Sequence, residues 1–193
     1  METMSLKDHA DRNARSKKML LWFAMISMFM MFAGLTSAYV VSTSRPDWAK
    51  DFVLPNAFII STVIIIISSL TFHMAKVTMK KGDRAATSMW LLTTLALGIA
   101  FVAAQFYGFQ KIIESGFFFT GPESTVTTSF VYIVTVAHLV HLFAGLIVLL
   151  VVIYNHFKQK YSSSQTLGIE LGAMFWHFLD ILWVYLFLFF YFY

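Results

Sequence analysis

None of the 193 residues is cysteine. This removes disulfides, thiolate metal sites, cysteine nucleophiles and covalent haem attachment through paired cysteines. Charge is scarce as well, since Asp, Glu, Lys and Arg form 12% of the chain, where a soluble domain carries about a quarter. No glycine-rich loop of the phosphate-cradling kind occurs, and no Ser, His and Asp order sets a nucleophile beside a base. Nucleotide binding through such a loop and triad hydrolysis are therefore unsupported.

What is present is apolar surface. Hydrophobic residues make up 59% of the chain, and they fall into five runs of roughly 20 residues, the length that crosses a bilayer as a helix. Lipid leaves no unpaired backbone amide tolerated, so each run is expected to be helical. The predicted fold is an all-α integral membrane bundle of five transmembrane helices. Residues 1–18 read as a polar N-terminal segment and 19–193 as a single domain, with spans near 19–41, 55–75, 87–109, 128–154 and 170–191.

The formal net charge of +4 does not indicate nucleic acid, because the basic residues sit in short segments between spans rather than on an amphipathic face. Eleven of the 14 Lys and Arg fall before span one, after span two or after span four. By the positive-inside rule the N-terminus is cytoplasmic and Tyr193 lies outside. The remaining connections carry turn and interfacial residues: Pro46, Asp47 and Trp48 in one, and Phe117, Phe118, Phe119, Gly121 and Pro122 in the other.

Ionisable and amide groups inside the spans are the candidate functional residues, because burying them at membrane depth is costly without partners. They are Gln105, His138, His141, Glu170, His177 and Asp180, with His73 near a helix end. His138 and His141 share a helical face, as do His177 and Asp180. At about 1.5 Å per residue, His141 and Asp180 reach similar depth. A hydrogen bond from His138 or His141 to Asp180 is therefore expected.

Several uses of these residues remain open on the residues alone. Bis-histidine haem ligation with His138, His141 or His177 would make a b-type membrane cytochrome. A metal centre could combine the same histidines with a carboxylate. Glu170, His177 and Asp180 could begin a proton or ion path, as in a small transporter. The methionines Met25, Met28, Met30 and Met31 could attract copper, although thioethers at helical spacing usually pack. A polar seam that locks the helices together is the plainest reading.

Residues 175–183, Phe-Trp-His-Phe-Leu-Asp-Ile-Leu-Trp, resemble the tryptophan-histidine-phenylalanine-valine-aspartate segment in the last helix of subunit III of haem-copper respiratory oxidases. Glu170 occupies that family's glutamate position. Residues 135–141 are similar to its paired-histidine segment and keep both His138 and His141. Phe32 to Leu35 with Ala38 and Tyr39, then Leu54 to Asn56, Gly82 to Arg84, and Leu97, Gly98, Phe101 and Gln105 follow in family order. The likeness covers spans one to five and matches the short form without the first two helices. Departures are Met28 where a membrane glutamate is usual, Gly108 at another acidic position, Val136 and Val140 for two glycines, and Ser164 and Gln165 for histidines.

The resemblance implies an accessory subunit that itself holds no haem or copper, those cofactors residing in partner subunits. It implies assembly with oxidase subunits I and II in a bacterial plasma membrane, bound phospholipid, and support of proton uptake by a complex that reduces oxygen to water. Electrons would come from cytochrome c or a quinol through the partners. His138, His141, Glu170, His177, Asp180 and Gln105 would then form a structural or lipid-related seam rather than a catalytic centre.

Overall fold

The computed structural model describes residues 6–45, 48, 54–116, 118–119, 124–163 and 165–192, with side chains from residue 11 onward. Pro46, Asp47, Phe117, Gly121, Pro122, Ser164 and Tyr193 lie outside the described residues. The described chain is all-helical: α1 (Leu6–Ser42), α2 (Ala57–Lys80), α3 (Arg84–Glu114), α4 (Val126–Phe157) and α5 (Leu167–Phe192). Each is long and apolar enough to cross a membrane. Large apolar side chains stand exposed on every helix, among them Leu20, Ile66, Ile99, Val140 and Ile181. That is the outward face of a protein solvated by lipid.

The helices start where local chemistry closes their ends. Asp83 caps α3 by accepting a hydrogen bond from the Ala86 amide at 3.0 Å. Thr125 and Thr128 form a reciprocal capping box at the start of α4. Between α2 and α3, Gly82 adopts φ 82°, and its amide bonds the Met79 carbonyl while Asp83 bonds Thr78. This left-handed position suits glycine and turns the chain back within a few residues. Within the polar segment before span one, α1 is already helical from Leu6. The basic residues there include good helix formers and no glycine or proline interrupts them, so the helix extends past the apolar run.

In the bundle, α2 packs most extensively on α3, while α5 contacts α1, α2 and α4. The core runs through Phe72, Phe101, Leu142, Leu149, Ile169, Trp176 and Leu179, all at 0–1% exposure. Three glycines make room for it. A methyl at Gly98 would stand 2.9 Å from the Trp176 ring, one at Gly145 2.6 Å from Leu179 Cδ1, and one at Gly172 2.9 Å from Val152. Trp176 thus lies in a slot shared by α3 and α4. Close helix approach over small residues is the usual packing device in lipid, where apolar burial alone drives nothing.

Helix α1 is joined along one stripe. Lys18, Met25, Phe32 and Tyr39 recur every seven residues, and the last three are almost fully buried. Tyr39 packs edge-on against Trp48, Phe130, Phe189 and Phe190. The methionines do not form one face, since Met25 is buried whereas Met30 and Met31 point outward.

Replacing Gly145 by alanine is expected to destabilise the bundle by about 1–3 kcal/mol, because the new methyl meets Leu179 on a buried face. Melting of the detergent-solubilised protein measures this, and an unchanged midpoint would show that the slot relaxes freely.

Candidate functional site

Five hydroxyl residues of α2, Ser61, Thr62, Ser68, Ser69 and Thr71, occupy its inward side, four of them buried and Ser69 half-buried. Pairs 61/62 and 68/69 are two helical turns apart, so they face the same way. Inside a helix such hydroxyls donate to a carbonyl three or four residues back. Ser61 and Thr62 do so to Phe58 at 3.0 and 2.7 Å. Their oxygens remain able to accept, and neighbouring helices supply donors.

Helix α5 supplies most of them. Trp176 Nε1–H donates to Ser68 Oγ at 3.2 Å, and Trp183 Nε1–H donates to Thr62 Oγ1 at 3.0 Å. The His177 Nδ1 atom and Ser69 Oγ share a hydrogen bond of 2.7 Å. Lys80 meets Glu170 at 2.8 Å further along the same antiparallel pair. From Lys80–Glu170 through Ser69–His177 to Thr62–Trp183, α2 and α5 are held in one register. Helix α3 joins the same strip, since Gln105 Nε2 donates to Ser61 Oγ at 2.9 Å and the Thr71 and Thr94 hydroxyls bond at 2.8 Å.

Glu170 is the meeting point of three helices. Besides Lys80 of α2 it pairs with Lys18 of α1 at 3.4 Å, and Thr166 donates to its other oxygen at 3.1 Å. Both lysines are about half exposed, so the arrangement contributes orientation more than stability. Elsewhere α1 and α5 are tied by the Thr36 and Tyr185 hydroxyls at 2.9 Å.

The expected bond between Asp180 and the histidines of α4 is not made. Both Asp180 oxygens and both His138 ring nitrogens are buried without a hydrogen-bond partner among the described residues. Matching depth did not bring matching azimuth. Asp180 is 3% exposed on α5, while His138 is enclosed by the rings of Phe32, Phe101 and Trp183, with centroids 5.1–6.3 Å away. His141 turns back on its own helix, its Nδ1 2.7 Å from the Ala137 carbonyl, with Phe32 against its ring.

This geometry bears on the haem and metal readings. His138 and His141 share contact with Phe32 of α1, whereas His177 lies against Ser69 of α2, and the rings of Phe32, Phe101 and Trp183 surround His138. Among the described residues no three His, Asp or Glu side chains converge to hold a metal ion. The residues present do not fit either group. The hydroxyls of α2 and the lysines that hold Glu170 were not among the candidate residues read from the sequence, and Trp176 and Trp183 entered only as part of the family-like segment. Their legible signal was the seven-residue repeat of hydroxyl pairs in span two.

The whole chain, residues 1–193, matches the family model described as cytochrome c oxidase subunit III. It is 29% identical over 184 residues to cytochrome c oxidase subunit 3 of Thermostichus vulcanus, covering 93% of this chain and 89% of that one. Against the cytochrome bo(3) ubiquinol oxidase subunit 3 of Buchnera aphidicola it is 28% identical over 192 residues, 97% of each. The corresponding protein of Pseudomonas aeruginosa is 27% identical over 181 residues, 92% of this chain and 85% of that one.

Trp183→Phe keeps a ring in place but removes the donor to Thr62, so a loss of about 0.5–1.5 kcal/mol is expected. Combined with Thr62→Val in a double-mutant cycle, the coupling should be about 0.6 kcal/mol, the average for membrane hydrogen bonds. Unfolding in mixed micelles measures both, and strictly additive losses would deny the pair.

Proposed function

Because the chain belongs to the cytochrome c oxidase subunit III family, as its full-length match requires, we propose that it is the non-redox accessory subunit of a terminal haem-copper oxidase. It assembles with subunits I and II in a bacterial plasma membrane, with its N-terminus on the cytoplasmic side. The complex reduces oxygen to water and translocates protons. Electrons reach it from cytochrome c or a quinol through the partners, and relatives of both names are similar to this chain.

The observation that carries this reading is the family match along every span, and the use of the polar residues supports it. His177, Gln105 and Glu170 are engaged in holding helices to one another. Their chemistry is packing, and the redox centres belong to the partners.

Support for phospholipid binding comes from a groove of about 610 Å³ between α1, α4 and α5, with Leu21, Met28, Val151 and Phe175 in its wall. At Tyr161 and Gly168 it meets a polar hollow of about 550 Å³ lined by Lys17 and Lys160 together with Asp11 and Glu170. An apolar slot joined to a polar mouth that holds two lysines has the form of an acyl chain with its phosphate head. Burial pushes the Tyr161 phenol above its ordinary range, so it stays a neutral donor at that mouth. Met28 keeps the wall uncharged where the family has an acid.

Purification in mild detergent should recover haem-copper subunit I with this chain, whereas a stoichiometric haem band from the isolated polypeptide would overturn the accessory reading. Removing the chain should shorten the working lifetime of the oxidase more than it lowers the initial rate. Immediate loss of oxygen reduction in a haem-replete subunit I would contradict that. For the groove, Lys17→Gln with Lys160→Gln should lower co-purifying phospholipid, measured by mass spectrometry, and unchanged lipid content would remove the proposed headgroup contact.

A further inference from the structure

We propose that the groove where α1, α2 and α5 meet at the Lys80–Glu170 end holds an acyl chain of an anionic phospholipid, with Lys76 as the cation that receives its phosphate.

The groove has a volume of about 500 Å³ and changes character along its length. Lys76, Lys80 and Glu170 line one end, and Trp22, Phe178 and Ile181 line the rest. From Glu170 to Ile181, α5 rises about 16 Å. One leaflet of a bilayer offers about 15 Å of hydrocarbon, so a chain anchored at the lysines runs the length of the groove within a single leaflet. Met174 and Phe178 belong to the wall and also pack on the buried core. The groove is therefore formed by the bundle itself.

The charges at its polar end do not cancel within the protein. Lys80 meets Glu170 Oε1 at 2.8 Å, Thr166 donates to the same oxygen, and Lys18 reaches Oε2 at 3.4 Å. Both carboxylate oxygens are thus taken. Lys76, one turn deeper than Lys80 on α2, is half-buried and pairs with no carboxylate among the described residues. The cation nearest the apolar wall is the one left over, and a lysine at membrane depth calls for a counter-charge.

His177 lines the same groove without competing for the anion, since its Nδ1 is engaged with Ser69 and its Nε2 is buried. The lysine stem can cover apolar surface while its ammonium rises to the headgroups. Trp22 stands 55% exposed in the wall, one turn from Lys18, as an indole does in the interfacial belt. A lipid phosphate meets all of these conditions, with its chain on the apolar wall below. The site shares no residue with the groove between α1, α4 and α5.

Trp22 reports on occupancy. The full-length chain is reconstituted in phosphatidylcholine vesicles in which a minor share of the lipid, either phosphatidylglycerol or phosphatidylcholine, is brominated on its acyl chains. The quenching assigned to the site is the part lost in Trp22→Phe. Brominated phosphatidylglycerol should be preferred at Trp22 about fivefold, the factor one basic residue contributes at an anionic surface. Lys76→Gln should abolish the preference and Lys76→Arg should keep it. Lys17→Gln with Lys160→Gln, at the other groove, should leave it unchanged. Equal quenching by the two lipids, a preference that survives Lys76→Gln, or one that follows Lys17 and Lys160 instead would each overturn the proposal. So would a Trp22 signal that disappears when the chain is reconstituted with its co-purifying subunits, since a partner would then cover the groove.

Discussion

The bundle depends on hydrogen bonds donated by α5 to hydroxyls of α2. In lipid, apolar side chains gain little by leaving the solvent for each other, so helix order must come from shape and from polar pairs that lipid cannot replace. Ser68, Ser69 and Thr62 face Trp176, His177 and Trp183 at successive levels, and Lys80–Glu170 closes one end. Sliding one helix by a turn would break all of these at once. Thr62 and Ser68 serve because each donates to a carbonyl, of Phe58 and Thr94, and still accepts from an indole.

That register sets the rest of the packing. Holding Trp176 against Ser68 directs its ring into the slot opened by Gly98 and Gly145, which draws α3 and α4 onto α5. Directing Trp183 to Thr62 places its indole beside His138, so the histidine is covered by rings rather than by a hydrogen-bonding partner. Helix α1 then adds a single stripe, with Lys18 at Glu170, Phe32 over His138 and His141, and Tyr39 among the aromatics at the other end.

Much of this was legible in the residues and some was not. Five apolar runs specified five helices, because lipid permits no other local structure at that length. Glu170, His177 and Asp180 announced α5 as the element with partners. Depth along the helices also placed Asp180 level with α4, but helical rise carries no information on azimuth. The His177 partner turned out to be a serine on α2. Hydroxyls escape notice because they are common in membrane helices and cost little when bonded to their own carbonyls. The start of α1 was hidden for a related reason, since the boundary of an apolar run marks where lipid ends, not where the helix ends.

The seam uses up some of its polar atoms and leaves others buried without a partner among the described residues. Glu170 and Gln105 Nε2 are engaged, whereas Gln105 Oε1 and both His138 nitrogens are buried without a partner among the described residues. Asp180 is not engaged, although it sits one turn from a histidine that is. A wholly structural seam would gain by replacing such an acid with an apolar residue of similar size, since an unsatisfied buried carboxyl opposes folding. The bundle carries that cost because the tryptophans and the glutamate of the same helix already fix its register.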